Sequence, residues 1–155
     1  MAALAEEFFH TQEDPDQLVV NEEVMDRLLA IHPRTLNQEA TADGPICWIL
    51  LIPTTSALME EFLAGKIGER ELLNRTTPGE IYEAIYLCSA LVLPEHRSAG
   101  VARRVSVEAI RAIAAEHPIR RLFYWPFSPE GERLAAAVAH ACGLPLSQRT
   151  GGHGA

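Results

Sequence analysis

The chain has few basic residues, few cysteines and no long apolar run, and each shortage excludes a class of protein. Its 155 residues include 13 Lys and Arg against 21 Asp and Glu, which gives a formal net charge of -8. Nucleic acids and anionic membranes are held by clustered basic side chains, so we expect neither as a partner. No apolar run approaches the roughly 20 residues of a bilayer-crossing helix, so we expect no membrane span.

The three cysteines, Cys47, Cys88 and Cys142, are widely spaced. None belongs to a close pair of the kind that binds zinc or forms a redox disulfide, so we predict buried structural thiols and no metal site. The start of the chain, Met1–Glu7, lacks the basic stretch and apolar core of a signal peptide. Together these features predict a soluble, reduced, cytoplasmic protein.

The length suits one compact domain and is too short for two ordinary ones. We predict a single domain over residues 1–150. The glycine-rich end, Gly151–Ala155, is predicted to be a disordered tail.

The first third of the chain is predicted to be helical. Leu4–Phe9 is a short candidate helix, and Asn21 can cap a second helix over Glu22–Ile31 that Pro33 ends. The apolar run Ile46–Ile52 follows between two prolines and is too short for an ordinary helix, so it predicts a buried strand.

The middle of the chain predicts two short helices and a second buried strand. Ser56 can cap the first of these helices, and Gly65 and Gly68 divide the segment in two. The next apolar run, Ala84–Leu93, has the length of a strand and ends at Pro94.

The last third alternates helix and strand. An amphipathic helix begins at Val101 and ends before Pro118, and a third strand covers Leu122–Phe127. Ser128–Pro129 favours another helix start, and Gly143 ends that helix. Strands that alternate with helices predict an α/β domain.

The loop between the second strand and the amphipathic helix carries small residues around Gly100, with arginines at Arg97, Arg103 and Arg104. The free N–H groups and positive dipole end of a helix's first turn form an anion site suited to a diphosphate. The spacing fits neither the P-loop nor the three-glycine dinucleotide motif. The alternative is that Gly100 only eases a tight turn and the arginines are solvated.

These residues resemble motif A of the GNAT superfamily of acyl-CoA N-acyltransferases, written Arg/Gln-x-x-Gly-x-Gly/Ala after a strand that ends in an apolar-Pro pair. Val92–Pro94 supplies that strand end, Arg97–Ala102 matches the motif, and Arg103 stands where the family often has a basic residue. The order of elements over Ile81–Leu144 is also similar to the family core.

The resemblance implies a mixed, mostly antiparallel central sheet, with splayed middle strands and flanking helices, that binds acetyl-CoA or another acyl-CoA. The strands Ala84–Leu93 and Leu122–Phe127 would part to admit it; Pro126 either helps to force the parting or is merely tolerated at a strand end. The implied cofactor-binding residues are Leu91, Val92 and Leu93 along the pantetheine arm, and Arg97, Ser98, Ala99, Gly100, Val101, Ala102 and Arg103 around the diphosphate.

Candidate catalytic residues are Glu83 as the base, with its neighbour Glu80 as the alternative, and Tyr124, which can supply a hydroxyl; Tyr86 is the alternative tyrosine. An acidic residue before a buried strand is also commonly just a solvated strand end, and strand tyrosines are commonly core. Many family members place a tyrosine four residues before the glycine that ends the last core helix. Here that position is Ala139.

Two further features depart from the family. The segment Thr54–Gly79 interposes helices where the family has a tight hairpin, and it is a candidate acceptor pocket or lid. Few residues follow Gly143, so the closing strands are expected to be short or missing. An open sheet edge invites pairing, which makes a homodimer the partner hypothesis.

The sequence therefore predicts an acyltransferase that moves an acetyl or other acyl group from coenzyme A to a small-molecule or peptide amine by direct attack. The first alternative is a non-catalytic acyl-CoA-binding sensor or partner-binding subunit of the same fold. The second is an α/β interaction module whose loop binds nothing.

Overall fold

A computed structural model describes residues 21–97, 100–126 and 128–149. Its elements in chain order are α1 (Glu22–Ile31), β1 (Leu36–Thr41), β2 (Gly44–Thr54), α2 (Ser56–Leu63), α3 (Glu69–Arg75), β3 (Ala84–Val92), a 3-10 turn (Pro94–His96), α4 (Val101–Ala114), β4 (Arg121–Tyr124), α5 (Pro129–Cys142) and β5 (Leu146–Gln148). The predictions for Leu4–Phe9, Ser98, Ala99 and Gly151–Ala155 lie outside these ranges. None of the helices within them is long and apolar enough to cross a bilayer.

The strands form one five-stranded sheet in the order β1-β2-β3-β4-β5. The β1–β2 and β2–β3 pairs are antiparallel, while β3–β4 and β4–β5 are parallel. Most paired residues belong to the antiparallel ladders, and helices cover the sheet. The predicted fold class, α/β with a mixed, mostly antiparallel sheet, is confirmed.

Helix α1 begins and ends where the sequence predicts. The Asn21 side-chain oxygen accepts a hydrogen bond from the Val24 N–H at 2.8 Å, which satisfies one of the free donors of the first turn. The helix ends at Ile31, and His32 takes extended backbone angles immediately before Pro33.

Replacing Asn21 with Ala should lower the free energy of unfolding by about 1 kcal/mol, because the first turn loses its cap. Urea unfolding followed by circular dichroism measures the change. Asn21→Asp keeps an accepting oxygen and should recover most of the loss; equal losses in both variants would contradict the capping role.

The prediction of a helical first third missed β1 (Leu36–Thr41), which forms a hairpin with β2. Most of its residues are polar and partly exposed, as suits the edge of a sheet, so its apolar alternation is weak. The sequence signal that could have indicated the hairpin was Asp43-Gly44, which spans the end of the two-residue turn and the first residue of β2. Gly44 has φ of +117°, a backbone conformation that residues other than glycine rarely adopt.

Two short helices, α2 and α3, replace a tight connection between β2 and β3, as predicted. The predicted cap Ser56 was wrong by one residue: the Thr55 hydroxyl accepts from the Leu58 N–H at 3.3 Å, and Ser56 is the first helical residue. Gly65, with φ of +79°, and Gly68 separate the helices.

The later elements follow the prediction with two differences at strand ends. β3 stops at Val92 rather than Leu93, and β4 covers Arg121–Tyr124 rather than 122–127, ending two residues before Pro126. Proline cannot donate to a strand ladder. The Ser128 hydroxyl caps α5, and Gly143 ends it in the left-handed conformation, both as predicted.

Apolar side chains form two clusters, one on each face of the sheet. The cluster under α1, α2 and α3 is aromatic and includes Phe62, Tyr86 and Phe123. The other cluster, under α4 and α5, is mainly aliphatic. Cys47 is fully buried, and burial, followed by the Glu39 charge, raises its pKa to about 11 despite the opposing Arg104 charge.

The prediction of three buried thiols holds only for Cys47, because Cys88 and Cys142 are half-buried. Cys88 lies on β3 beyond its pairing with β4, and Cys142 is the last residue of α5. Apolar neighbours along the sequence suggest burial. They do not indicate that a strand lacks a partner at that point or that a helix ends there, and both features expose a side chain.

His117 links the start of β3 to the end of α4. Its Nδ1 accepts from the Tyr82 N–H at 3.3 Å, and its ring lies 4.7 Å from the Tyr82 ring. Burial lowers the pKa of His117, and the neighbouring His32 lowers it further, while Glu116 opposes both. The folded protein therefore favours the neutral form of this imidazole more than water does.

We expect the protein to lose stability as the pH falls through the range in which an unfolded histidine titrates, about pH 6.5. A group whose pKa is lower in the folded state binds its proton first in the unfolded state, so its contribution is present above the unfolded value and is lost below it. Urea unfolding at a series of pH values measures this. His117→Asn should flatten the dependence more than His140→Asn at an exposed site; equal slopes would contradict the role of His117.

Candidate functional site

The pairing between β3 and β4 is short. Only Ala84, Ile85 and Tyr86 of β3 pair with β4, opposite Arg121–Phe123. β3 continues through residues 87–92 without β4 alongside, over about 20 Å at the usual rise of a strand. The sheet therefore opens between its middle strands, and we call this opening the β3–β4 gap.

A β-bulge lies at the start of the gap. Leu51 pairs with Leu87 and Leu50 with Ser89, which leaves Cys88 as the extra residue on β3. A bulge leaves backbone groups outside the regular ladder and re-aims neighbouring side chains. Backbone polar groups are thus displaced from the ladder at the point where β4 also ends.

Alternation along the ladder identifies which backbone groups face the gap. The Leu93 N–H donates to the Ile46 carbonyl at 2.9 Å, which continues the β2–β3 register. Bonded and non-bonded pairs alternate in an antiparallel ladder, so Ala90 and Val92 direct their backbone groups toward the gap. The Arg97 Nε–H donates to the Val92 carbonyl from that side, at 3.0 Å.

The end of β3 leads through a tight turn into α4. The Leu93 carbonyl accepts from the His96 N–H at 2.9 Å, so both backbone groups of Leu93 already have partners. Gly100 then adopts φ of +72° and caps α4 without a side-chain hydrogen bond. A Cβ added at Gly100 would meet no heavy atom within 4 Å among the described residues beyond its own chain neighbours. Its positive φ is the reason for glycine here.

The cations at this turn differ in availability. Arg104 lies 3.2 Å from Glu39 Oε2 and 3.8 Å from Glu108 Oε1, so carboxylates already hold it. Arg103 is exposed, and no ion pair within the described ranges includes it. The structure leaves Arg103 available for an anion at the start of α4.

The remaining cofactor-binding residues of the prediction occupy one end of the sheet. Leu91 and Val92 are half-buried at the end of β3, Val101 is buried and Ala102 is half-buried in the first turn of α4. The Val101 side chain packs in the aliphatic cluster, so only its backbone can serve a ligand. The structure brings these residues together at the mouth of the β3–β4 gap.

The predicted catalytic residues are not brought together. Glu83 precedes β3, where its N–H bonds to Thr54 and its carbonyl accepts from the Arg120 N–H. It stands three residues before Tyr86, about 10 Å along the strand from the beginning of the gap. Tyr124 ends β4, on the gap side of this short ladder.

Tyr124 has the properties of a proton donor. Its hydroxyl donates to Gln148 Oε1 at 2.9 Å, and burial, followed by the Glu132 charge, raises its pKa. The hydroxyl therefore stays protonated at neutral pH. Ala139 is 5% exposed in the aliphatic cluster, so the position where the GNAT resemblance would place a tyrosine holds a core methyl group.

The sequence prediction missed a carboxylate at the gap. Glu69, the first residue of α3, is 2% exposed. The Tyr86 hydroxyl donates to Glu69 Oε2, and Cys88 Sγ lies 3.7 Å from the same oxygen. Burial raises the pKa of Tyr86 well above its ordinary value, and the Glu69 charge raises it further. In the sequence, Glu69 is indistinguishable from a solvated charge in a first helical turn.

Comparison of the chain with family models, curated proteins and solved structures found no match. The resemblance to the GNAT superfamily therefore remains a prediction. Its support is the matching motif, the opening between β3 and β4, and the Gly100 turn at the start of α4.

Proposed function

We propose that this protein binds an acyl-coenzyme A along the open edge of β3 and transfers the acyl group to an amine. The observation that carries the proposal is that β3 loses its partner after three pairs and runs on, unpaired on that side by any described residue, to the glycine-capped start of α4. The alternation of the β2–β3 ladder turns backbone groups into this opening.

The chemistry of the two ends of this edge suits the two parts of coenzyme A. The pantetheine arm is an extended chain with amide groups, so it can bond to the β3 backbone as an added strand would. At the far end, the first-turn N–H groups of α4 and the Arg103 guanidinium offer donors to the diphosphate. The thioester then lies toward the Cys88 bulge.

Transfer requires a neutral amine, a stabilised oxyanion and a proton for the departing sulfur. As the C–N bond forms and the C–S bond breaks, a proton leaves nitrogen and one is added to sulfur. Glu69 and Glu83 are the candidate acceptors of the nitrogen proton, and Tyr124 is the candidate donor to sulfur. Displaced backbone N–H groups near the bulge are candidate donors to the oxyanion.

Calorimetric titration with coenzyme A and acetyl-CoA tests the binding claim. We expect saturable heat with both ligands. The absence of heat at high micromolar coenzyme A would contradict the proposed binding, on which the proposed acyl transfer depends.

We expect Glu69→Gln to lower turnover about a hundredfold, the lower range for loss of a general base, with coenzyme A affinity unchanged. Glu83→Gln should lower turnover less, because Glu83 lies about 10 Å further back along the strand. Thiol release with saturating acetyl-CoA and an amine measures both rates, and Glu60→Gln at an exposed site is the control. A larger loss in Glu83→Gln would assign the base to Glu83 instead.

A second candidate function is an acyl-CoA-binding sensor without turnover. The observation that favours it is the buried methyl group of Ala139 at the family's tyrosine position. Thiol release separates the two functions: tight coenzyme A binding with no release across a panel of small-molecule and peptide amines would favour the sensor.

A further inference from the structure

Arg149, just after β5, has a buried guanidinium, and one of its N–H groups lacks a hydrogen-bond acceptor among the described residues. The residue is 6% exposed, and its carbon Cζ lies 4.1 Å from the centre of the Trp125 ring and 4.7 Å from that of Phe62. Its Nη1 donates to the Ile67 carbonyl at 3.1 Å. Its Nε–H, also buried, has no hydrogen-bond partner within the described part of the chain.

A buried guanidinium is expensive to keep without a counter-charge, because it has lost its hydration. The two ring contacts offset part of that cost. No carboxylate of the described residues forms an ion pair with Arg149. The arrangement is therefore one that an anion would complete, and a planar fork of N–H groups favours a carboxylate.

The position of Arg149 relates this anion site to the β3–β4 gap. Its backbone N–H donates to the Tyr124 carbonyl at the end of β4, and its side chain reaches Ile67, two residues before Glu69. The Glu69 charge raises the pKa of Tyr86, after burial, while the Arg149 charge lowers it. Opposite charges thus both act on the Tyr86 hydroxyl.

We propose that the acceptor is an amine that also carries a carboxylate, an amino acid or a close analogue, with its carboxylate on Arg149 and its amine toward Glu69. The inference rests on the proposed acyl transfer, which supplies the reaction. Cys88, whose Sγ lies 3.7 Å from Glu69 Oε2, is half-buried on the open part of β3, and the amine would approach Glu69 from this side. The segment between β2 and β3 then supplies both the Glu69 carboxylate and the carbonyl that fixes Arg149.

The test compares each amino acid with its own amide, a matched pair that differs only at the carboxylate. Thiol release from acetyl-CoA is measured in the wild-type protein, in Arg149→Gln and in Arg149→Lys. The control is Arg133→Gln, because Arg133 is exposed on α5 and its one ion pair with a described residue is a 3.7 Å contact with Glu130. Coenzyme A affinity is measured for every variant.

We expect the wild-type protein to prefer at least one amino acid over its amide, and Arg149→Gln to raise KM for that acid by about tenfold or more. The KM of Arg149→Lys, which keeps the positive charge and loses the planar fork of N–H groups, should lie between those of the wild-type protein and Arg149→Gln. Amide substrates, coenzyme A affinity and the Arg133→Gln protein should change little. Equal use of acids and amides by the wild-type protein would overturn the inference and leave the acyl transfer standing, and so would a preference that survives in Arg149→Gln.

Ligand-induced shifts in thermal unfolding test the anion site without turnover. If coenzyme A does not bind, the proposed function fails. The shifts in thermal unfolding then test only whether Arg149 binds a carboxylate. Stabilisation by amino acids but not by their amides, weaker in Arg149→Lys than in the wild-type protein, would support the site. Equal shifts, or none, would overturn it. If Arg149→Gln does not fold, the wild-type comparison and Arg149→Lys still give the answer.

Discussion

Replacing Gly100 with Glu is expected to abolish coenzyme A binding. The backbone at Gly100 has φ of +72°, and that conformation costs a residue with a Cβ roughly 1–2 kcal/mol. The new carboxylate would also stand beside the first-turn N–H groups that are proposed to bind the diphosphate, and like charges repel. Calorimetric titration should show no heat where the wild-type protein saturates.

The chain offers a matched control for this variant. Gly143 has φ of +67°, and a Cβ added there would likewise meet nothing within 4 Å among the described residues, but it ends α5 rather than beginning α4. Gly143→Glu should therefore destabilise the fold to a similar extent and leave coenzyme A affinity unchanged. Gly100→Ala should weaken binding less than Gly100→Glu. Unchanged affinity in Gly100→Glu would contradict the assignment of this turn to the diphosphate.

Replacing Phe62 with Ala is expected to cost about 3–5 kcal/mol of unfolding free energy, the usual range for a buried phenylalanine. Phe62 is fully buried, and its ring lies 4.7 Å from Tyr86, 5.7 Å from Phe123 and 6.0 Å from Trp125. It also stacks against Arg149. One truncation would remove the shared neighbour of all four side chains.

Urea unfolding measures this loss directly. Leu29→Ala is the matched surface control, because Leu29 is 50% exposed on α1, and it should change stability by no more than about 0.5 kcal/mol. Phe62→Leu, which refills much of the volume, should recover part of the loss. If Phe62→Ala cost no more than Leu29→Ala, the aromatic cluster would not be the core that its burial indicates.

Local signals in the sequence predicted most elements of the fold. The Asn21 cap, the Ser128-Pro129 start and the Gly143 stop each act through contacts within a few residues, and all three proved correct. β1 was missed because an edge strand needs little apolar alternation. Its partner β2 was found because both of its faces are buried.

The candidate site was predictable only where it is continuous in the sequence. The turn around Gly100 is a local motif, so its position at the mouth of the β3–β4 gap follows from short-range pattern. The Glu69, Tyr86 and Arg149 cluster joins residues that are 17 to 80 positions apart. The packing of α2 and α3 over the sheet brings them together. A single charged residue in the sequence does not indicate that it will contact residues so far away along the chain.

The insertion of α2 and α3 also has a kinetic consequence. β2 and β3 make the most extensive contact in the sheet, yet 29 residues separate them. Closing that loop costs about 2 kcal/mol more entropy than closing a two-residue hairpin. We expect the β1–β2 hairpin to form early and β3 to join late in folding. The strand proposed to hold the ligand would then be among the last to assemble.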